Sequence, residues 1–263
     1  MKKRTPWQIQ RAVIFALLMR ELKTRFGTHW TGVVWLLGTP LAQVGVLVGF
    51  NTFLRGRLHE GLYPYAVFLM VALMPFRLCT GLWSQLMNAA KANQGLFNYR
   101  QVVPMDAFIS RAILELVLNV LIFVLSMLIL ARLGVPYVFP EHLLYLFAVW
   151  AVYFFFGAGM GLLLAGLSGP MPRIGTLVNL ISMPLYMLSG VIFVFHAPTP
   201  DIKALLLFNP LMHLVECGRE AYLAGYRVDQ GINMAYPSLW ALTLCFLGMG
   251  LCRIRRQELA AGE

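Results

Sequence analysis

The chain has 263 residues, 59% of them hydrophobic and only 12% charged, with a formal net charge of +10 at pH 7. A water-soluble fold of that composition would leave most of its apolar surface in water, so the soluble classes are excluded and a membrane protein is indicated. With no separate polar domain to carry it, the basic excess reads as orientation and affinity for anionic lipid, not as nucleic-acid binding.

The first segment, 1–31, begins with Lys2, Lys3 and Arg4 ahead of an apolar run at Val13–Met19. Arg20-Glu21-Leu22-Lys23-Thr24-Arg25 follows where a signal peptide would carry small residues for cleavage. An interfacial amphipathic helix fits better, with Phe15, Leu18, Leu22 and Phe26 on one face and Arg20, Lys23 and Thr24 opposite. Arg11 and Arg25 fall close to the apolar stripe and must snorkel to headgroups or meet an anion. Lys23, Arg25 and His29 cluster at headgroup height, with Arg20 about one turn away, an arrangement suited to a lipid phosphate.

Six apolar stretches follow, at 33–54, 66–86, 107–133, 143–167, 174–195 and 234–252. About 20 residues of helix cover a hydrocarbon core of about 30 Å, so each is long enough or nearly long enough to span. The runs are continuous rather than alternating and rich in Leu, Met and Ala, which indicates helices. The expected fold is an all-α integral membrane protein, a single transmembrane domain over 1–263. Of the 21 Lys and Arg residues, 14 fall in 1–31, 87–111, 168–173 and 253–263. The positive-inside rule then places both termini in the cytoplasm and loops 55–64, 134–142 and 196–233 outside.

The second span carries Pro75 and, two residues later, Arg77 near mid-membrane. Such a charge costs at least about 2.5–3.5 kcal/mol on insertion scales. It either makes an interhelical hydrogen bond or lines a wet pathway for an anionic or hydroxyl-rich substrate. The second reading is preferred, because no acid is expected at comparable depth. Glu115, near the cytoplasmic end of the third span, is expected to pair with Arg111 at i,i+4.

Between the second and third spans, 89–106 is polar and nearly helical and is closed by Pro104. Exposed Phe97 and Tyr99 beside Gln94, Asn98 and Arg100 suit a docking surface for another protein, the alternative being a membrane-surface helix. Before the last span, 198–224 reads as two short helices broken at Asn209-Pro210, with Asp201 as N-cap of the first and a stop at Gly225. Each is too short to cross a bilayer and too apolar for water, as expected of a re-entrant hairpin entering from the outer face. Its second arm holds His213, Glu216, Arg219 and Glu220, in a structural ion pair or a gate.

Catalytic and metal-binding patterns are missing from the sequence. There is no G-x-x-x-x-G-K-[ST], no H-E-x-x-H and no Ser-His-Asp grouping, and the three aspartates (Asp106, Asp201, Asp229) form no acidic pair. Cys79, Cys217, Cys245 and Cys252 show no metal spacing, and His213 has no partner ligand at metal-binding distance in sequence.

The order of parts resembles the membrane subunit of type-2 ATP-binding-cassette exporters: a basic interfacial helix, six spans, a coupling helix after span two and a re-entrant hairpin before span six. Within them, ANQGLFNYR at 92–100, followed by Pro104, Asp106 and Arg111-Ala112-x-x-x-Glu115, is similar to the KpsM-like capsular polysaccharide export permeases. Arg20-Glu21-x-x-Thr24-Arg25-Phe26-Gly27 and Asn209-Pro210-Leu211-x-His213-x-Val215-Glu216-x-x-Arg219-Glu220-Ala221 are similar to that family too, so the resemblance covers nearly the whole chain. It implies a homodimer paired with two copies of a separate cytoplasmic ATPase, which handles ATP and Mg, so this chain binds no cofactor and is not itself an enzyme. The implied cargo is an acidic polysaccharide on a phosphatidylglycerol-like lipid. A periplasmic co-polymerase-type adaptor and an outer-membrane exporter would continue the path from the inner membrane of a Gram-negative bacterium.

On this reading Gln94, Phe97, Asn98, Tyr99 and Arg100 couple to the ATPase. Trp35, Arg77 and Trp83 are candidates to face the channel, Arg77 on the physical argument alone because it is no part of the family pattern, and Arg20, Lys23, Arg25 and His29 receive the lipid linker. His213, Glu216, Arg219 and Glu220 form the outer gate. An integral-membrane glycosyltransferase of the same pathway and a channel or receptor-like membrane protein are the alternatives. The first lacks an acidic catalytic pair, and the second does not need ANQGLFNYR.

Overall fold

The structure is a computed structural model that describes residues 5–26, 31–55, 63–97, 99, 101–171, 173–193 and 200–261. His29, Asn98 and Arg100 lie outside them. The described residues are helical, with no strand among them: α1 Pro6–Phe26, α2 Thr31–Arg55, α3 Tyr65–Met87, α4 Ala89–Ala92, α5 Pro104–Arg132, α6 Leu143–Leu167, α7 Ile174–Leu188, α8 Pro200–Leu206, α9 Pro210–Tyr222, α10 Ala235–Ile254 and α11 Arg256–Ala261. Among the described residues, four helices are long and apolar enough to cross a membrane: α3, α5, α6 and α10. The apolar parts Gly38–Phe50 of α2 and Ile174–Leu188 of α7 are shorter.

The centre of the described chain is α3 and α6, packed on one another, with α10 on the far side of α6 and α5 on α3. Helices in lipid gain little from hydrophobic burial against each other, so close backbone approach through small residues matters more. Here α6 supplies a glycine on each side. A Cβ on Gly161 would lie 2.7 Å from the Leu82 carbonyl of α3, and one on Gly159 would lie 2.6 Å from the Cys245 amide of α10.

Three sequence expectations need correction. The fifth span, expected over 174–195, stops as a helix at Leu188, because Gly190 turns the chain with φ +70° and 191–193 continue without helical bonds. The coupling segment is not one helix. It is the single turn α4, then a 3-10 turn at Gln94–Leu96, because the Asn93 side chain bonds back to the Ala89 carbonyl at 2.9 Å and Gly95 follows. Finally, α8 begins at Pro200, so Asp201 lies in its first turn and is not its N-cap.

The break between α8 and α9 does follow its sequence signal. Asn209 caps α9, its side-chain oxygen accepting from the Leu211 amide at 3.0 Å, and Pro210 needs no donor at the first helical position. At seven and 13 residues, α8 and α9 are about 10 and 20 Å long. α9 is wedged among α3, α6 and α10 and is buried from Leu211 to Arg219. Its last carbonyls accept from the amides of Glu141 and His142, in the connection between α5 and α6, at 3.2 and 2.9 Å. The C-terminal end of α9 is satisfied in this way rather than by water.

Candidate functional site: a polar column beside an apolar core

A row of polar side chains runs between α3 and α5 and is joined by one edge of α1. α3 and α5 are antiparallel, and their contacts fall in register: Arg111 donates to the Gln85 carbonyl at 2.9 Å, and one turn further along α5 Glu115 packs against Gly81. The fit there is tight, since a Cβ on Gly81 would lie 2.6 Å from Glu115 Oε1. Arg77 is one turn beyond Gly81 on the same face of α3. Glu115 therefore sits only about one turn from Arg77 along α3, on the side of α4, and an acid does stand at comparable depth.

The pairing also differs from the i,i+4 expectation. Arg111 bonds Glu21 of α1 at 3.0 Å, and Glu115 pairs with Arg25 of α1 at 2.7 Å while accepting from Asn119 Nδ2 at 3.2 Å. With Gln10 donating to Asp106 at 3.4 Å, α1 meets α5 at Gln10, Glu21 and Arg25 in ascending order. About 22 Å of α1 thus runs along about 14 Å of α5, so α1 climbs obliquely along α5. Arg25, close to the apolar stripe of α1, thus meets an anion, and the anion is Glu115 of α5.

Arg77 donates to Gln43 of α2 at 3.1 Å and borders a cavity of about 440 Å³ with Arg25, Thr39, Thr80, Glu115, Asn119 and Ser182. One guanidinium thus makes the interhelical bond and also lines the polar space. Trp83 is not on this wall. It lies six positions from Arg77, about 240° round the helix, and is buried in the apolar core beside Cys79. Trp35 is exposed on α2.

At the end where α3 passes into α4, Arg20 donates to Asn93 Oδ1 at 3.0 Å and to the Ala92 carbonyl at 3.2 Å, and Asn93 in turn donates to Glu21 at 3.2 Å. The segment after α3 is thus tied to α1, a link that nothing in the sequence spacing announces. Tyr99 is 66% exposed, Phe97 packs half-buried against the core, and Lys23 is exposed. Gln94 borders a second groove of about 270 Å³ with Lys91, Ser168, Arg255 and Glu258.

At the other end, Arg219 and Glu216 form a fully buried pair at 2.7 Å. Arg219 also donates to the carbonyls of Gly190, Val191 and Phe193 at 2.8, 3.0 and 3.2 Å and stacks over the Phe68 ring at 3.6 Å. These bonds satisfy the backbone freed where α7 stops. Glu216 accepts from the Tyr226 hydroxyl at 2.7 Å, and burial together with that carboxylate pushes the Tyr226 phenol well up, so it stays a donor. Glu220 is half-buried near Tyr145. His213 is buried, with Nδ1 accepting from the Asn233 amide at 3.1 Å, so Nε2 carries the proton and donates to the Leu207 carbonyl at 2.9 Å. It holds the corner between α8 and α9. Among the described residues no group of His, Cys, Asp and Glu could hold a metal.

The model of the family described as ABC-2 type transporter matches residues 12–223. The chain is 32% identical over 256 residues to the polysialic acid transport protein KpsM of Escherichia coli, covering 97% of this chain and 98% of that protein. It is 29% identical over 241 residues to the capsule polysaccharide export inner-membrane protein CtrC of Neisseria meningitidis serogroup B, covering 91% and 87% of the two chains. To BexB of Haemophilus influenzae, a capsule polysaccharide export inner-membrane protein, it is 27% identical over 250 residues, covering 94% and 91%.

Proposed function

This chain belongs to the ABC-2 type transporter family, and we propose that it is the permease subunit of an exporter moving capsular polysaccharide across the bacterial inner membrane. The chemistry is transport, and a separate cytoplasmic ATPase supplies the energy. The observation that carries this reading is the polar cavity bordered by Arg77, Arg25 and Glu115, set among helices that are otherwise apolar. Guanidinium groups donate to hydroxyl-rich, acidic glycans, and the threonine and serine hydroxyls on the same wall offer acceptors to sugar hydroxyls.

In the complete assembly, two copies of this chain pair about a two-fold axis and bind two ATPase subunits. Each copy is a single transmembrane domain, 1–263, with six spans and both termini in the cytoplasm. The cargo is acidic and lipid-linked, and its linker is received near Arg20, Lys23, Arg25 and His29. Trp35 is a candidate to face the channel across the two-fold axis. The segment 89–106, with Gln94, Phe97, Asn98, Tyr99 and Arg100, docks on the ATPase. The hairpin 198–224 re-enters from the outer face and closes the path there through His213, Glu216, Arg219 and Glu220. An adaptor of the co-polymerase type and an outer-membrane exporter carry the glycan onward.

Co-expression with the cognate ATPase tests the assignment. A stable complex whose ATP hydrolysis depends on this chain is expected. An ATPase that neither co-purifies nor responds to the chain would overturn it.

A further inference from the structure

The cavity between α1, α3 and α5 is not electrically balanced. Its lining holds two arginines, Arg25 and Arg77, and one carboxylate, Glu115. The hydroxyls of Thr39, Thr80 and Ser182 donate to carbonyls of their own helices, so each offers the cavity an oxygen acceptor and no charge. One positive charge is therefore in excess among the described residues. In surroundings of low dielectric such an excess favours an incoming anion strongly.

The Glu115–Arg25 pair is also built differently from the Glu216–Arg219 pair. Its side chains are 10% and 29% exposed, so the pair stands where water and solutes reach it, whereas the other is sealed. Glu115 has a second anchor in Asn119, whose amide donates to it at 3.2 Å, and Gly81 leaves it no slack toward α3. Arg25 is on the last turn of α1, and its exposed side chain can change partner without unfolding that helix. The more deeply set Arg111–Glu21 bond keeps α1 on α5 meanwhile.

We propose that the cavity bounded by Arg25, Arg77 and Glu115 is a binding site for a singly charged oxyanion, a phosphodiester or a carboxylate, and that Glu115 is the resident stand-in which this anion displaces from Arg25. In the loaded state Arg25 forks onto the anion from the cytoplasmic side, Arg77 meets it from one turn beyond, and Glu115 keeps its bond to Asn119. The charges then balance. Release of Arg25 from α5 frees the end of α1, which reports loading to the segment that Arg20 and Glu21 hold through Asn93. The source of the anion rests on the transport reading: either the phosphodiester of a lipid linker or a carboxylate of the glycan.

The test uses the full chain with its ATPase in phosphatidylcholine nanodiscs. Binding of three probes is measured: phosphatidylglycerol in the disc, soluble glycerophosphoglycerol, and glucuronate. Spin labels at Met19 and Val117, both exposed, report the distance between α1 and α5. Glu115→Gln keeps the shape and removes the competing charge, so it should bind about tenfold tighter, while Arg25→Gln and Arg77→Gln should each weaken binding at least tenfold. The labels should move apart on binding in the unmodified cavity. If Glu115→Gln does not fold, Glu115→Asp, with a shorter reach, should still bind a few-fold tighter than the parent. Binding of phosphatidylglycerol without glucuronate supports the site with a lipid source, and the reverse supports it with a glycan source. Unchanged or weaker binding in both Glu115 variants would overturn the site, as would failure of all three probes. ATP-driven export is measured in parallel. Export without anion binding overturns only this inference, and the expected binding order without export overturns the transport reading and leaves the anion site standing.

Discussion

Glu216 and Arg219 meet at 2.7 Å, one turn apart on α9, and neither side chain is exposed. Removing one member of such a pair leaves the other charge buried and uncompensated, commonly at about 3–5 kcal/mol. Arg219→Ala would also strip the donors from the carbonyls of Gly190, Val191 and Phe193. It should lower the unfolding midpoint of the purified protein sharply. Arg227→Ala, at an exposed position, should stay within about 0.5 kcal/mol of the parent. Equal, mild effects at both positions would contradict the sealed arrangement.

The segment 89–106, proposed to dock on the ATPase, presents two aromatics unequally. Tyr99 is 66% exposed and Phe97 is packed half-buried against the core. Tyr99→Ala should therefore weaken the ATPase complex, by about 2 kcal/mol if the ring is a central anchor, without changing the stability of this chain. Phe97→Ala should reduce both. Binding measured by co-purification titration and stability measured by thermal unfolding separate the two effects. An intact complex in the double variant would remove this segment from the interface.

Much of this architecture is legible in the sequence, and the failures have three separate causes. α6 has the bounds that its apolar run predicts, and the break at Asn209-Pro210 and the stop before Gly225 follow from side-chain chemistry. The Glu216–Arg219 contact needs only helical spacing. Arg25–Glu115 and Arg77–Gln43 join residues 90 and 34 positions apart, and periodicity shows which face a side chain occupies without showing which helix comes to meet it. The end of α7 was hidden for a different reason. Residues 191–193 remain apolar, and composition cannot distinguish a helix from an irregular stretch whose carbonyls are satisfied by a distant arginine. The Arg20–Asn93–Glu21 link is a third case, because amide side chains carry no periodic signal.

Arg77 donates to Gln43 and borders the polar cavity. If its role were only to tie α2 to α3, Arg77→Gln would keep a hydrogen-bonding partner and preserve most export. If the guanidinium serves the cargo, Arg77→Gln and Arg77→Leu should both reduce surface polysaccharide at least tenfold while the protein remains in the membrane. The account predicts the second pattern. Quantitative capsule staining with membrane immunoblots decides between them.

The proposed orientation places the connection between α5 and α6 outside and the coupling segment inside. Glu141 and Lys91 are both exposed. A single cysteine at Glu141 should react with an impermeant maleimide in intact spheroplasts, and one at Lys91 should react only after lysis. The opposite pattern would invert the topology.

The central claim, that this chain carries capsular polysaccharide across the membrane, is tested most directly by transport in inverted vesicles. The chain and its ATPase are reconstituted, lipid-linked acidic polysaccharide is added outside, and glycan protected from an added lyase is measured. The account predicts ATP-dependent protection that is abolished by Arg77→Leu and by omission of the ATPase. Protection that is independent of ATP, or absent although the complex hydrolyses ATP, would contradict it.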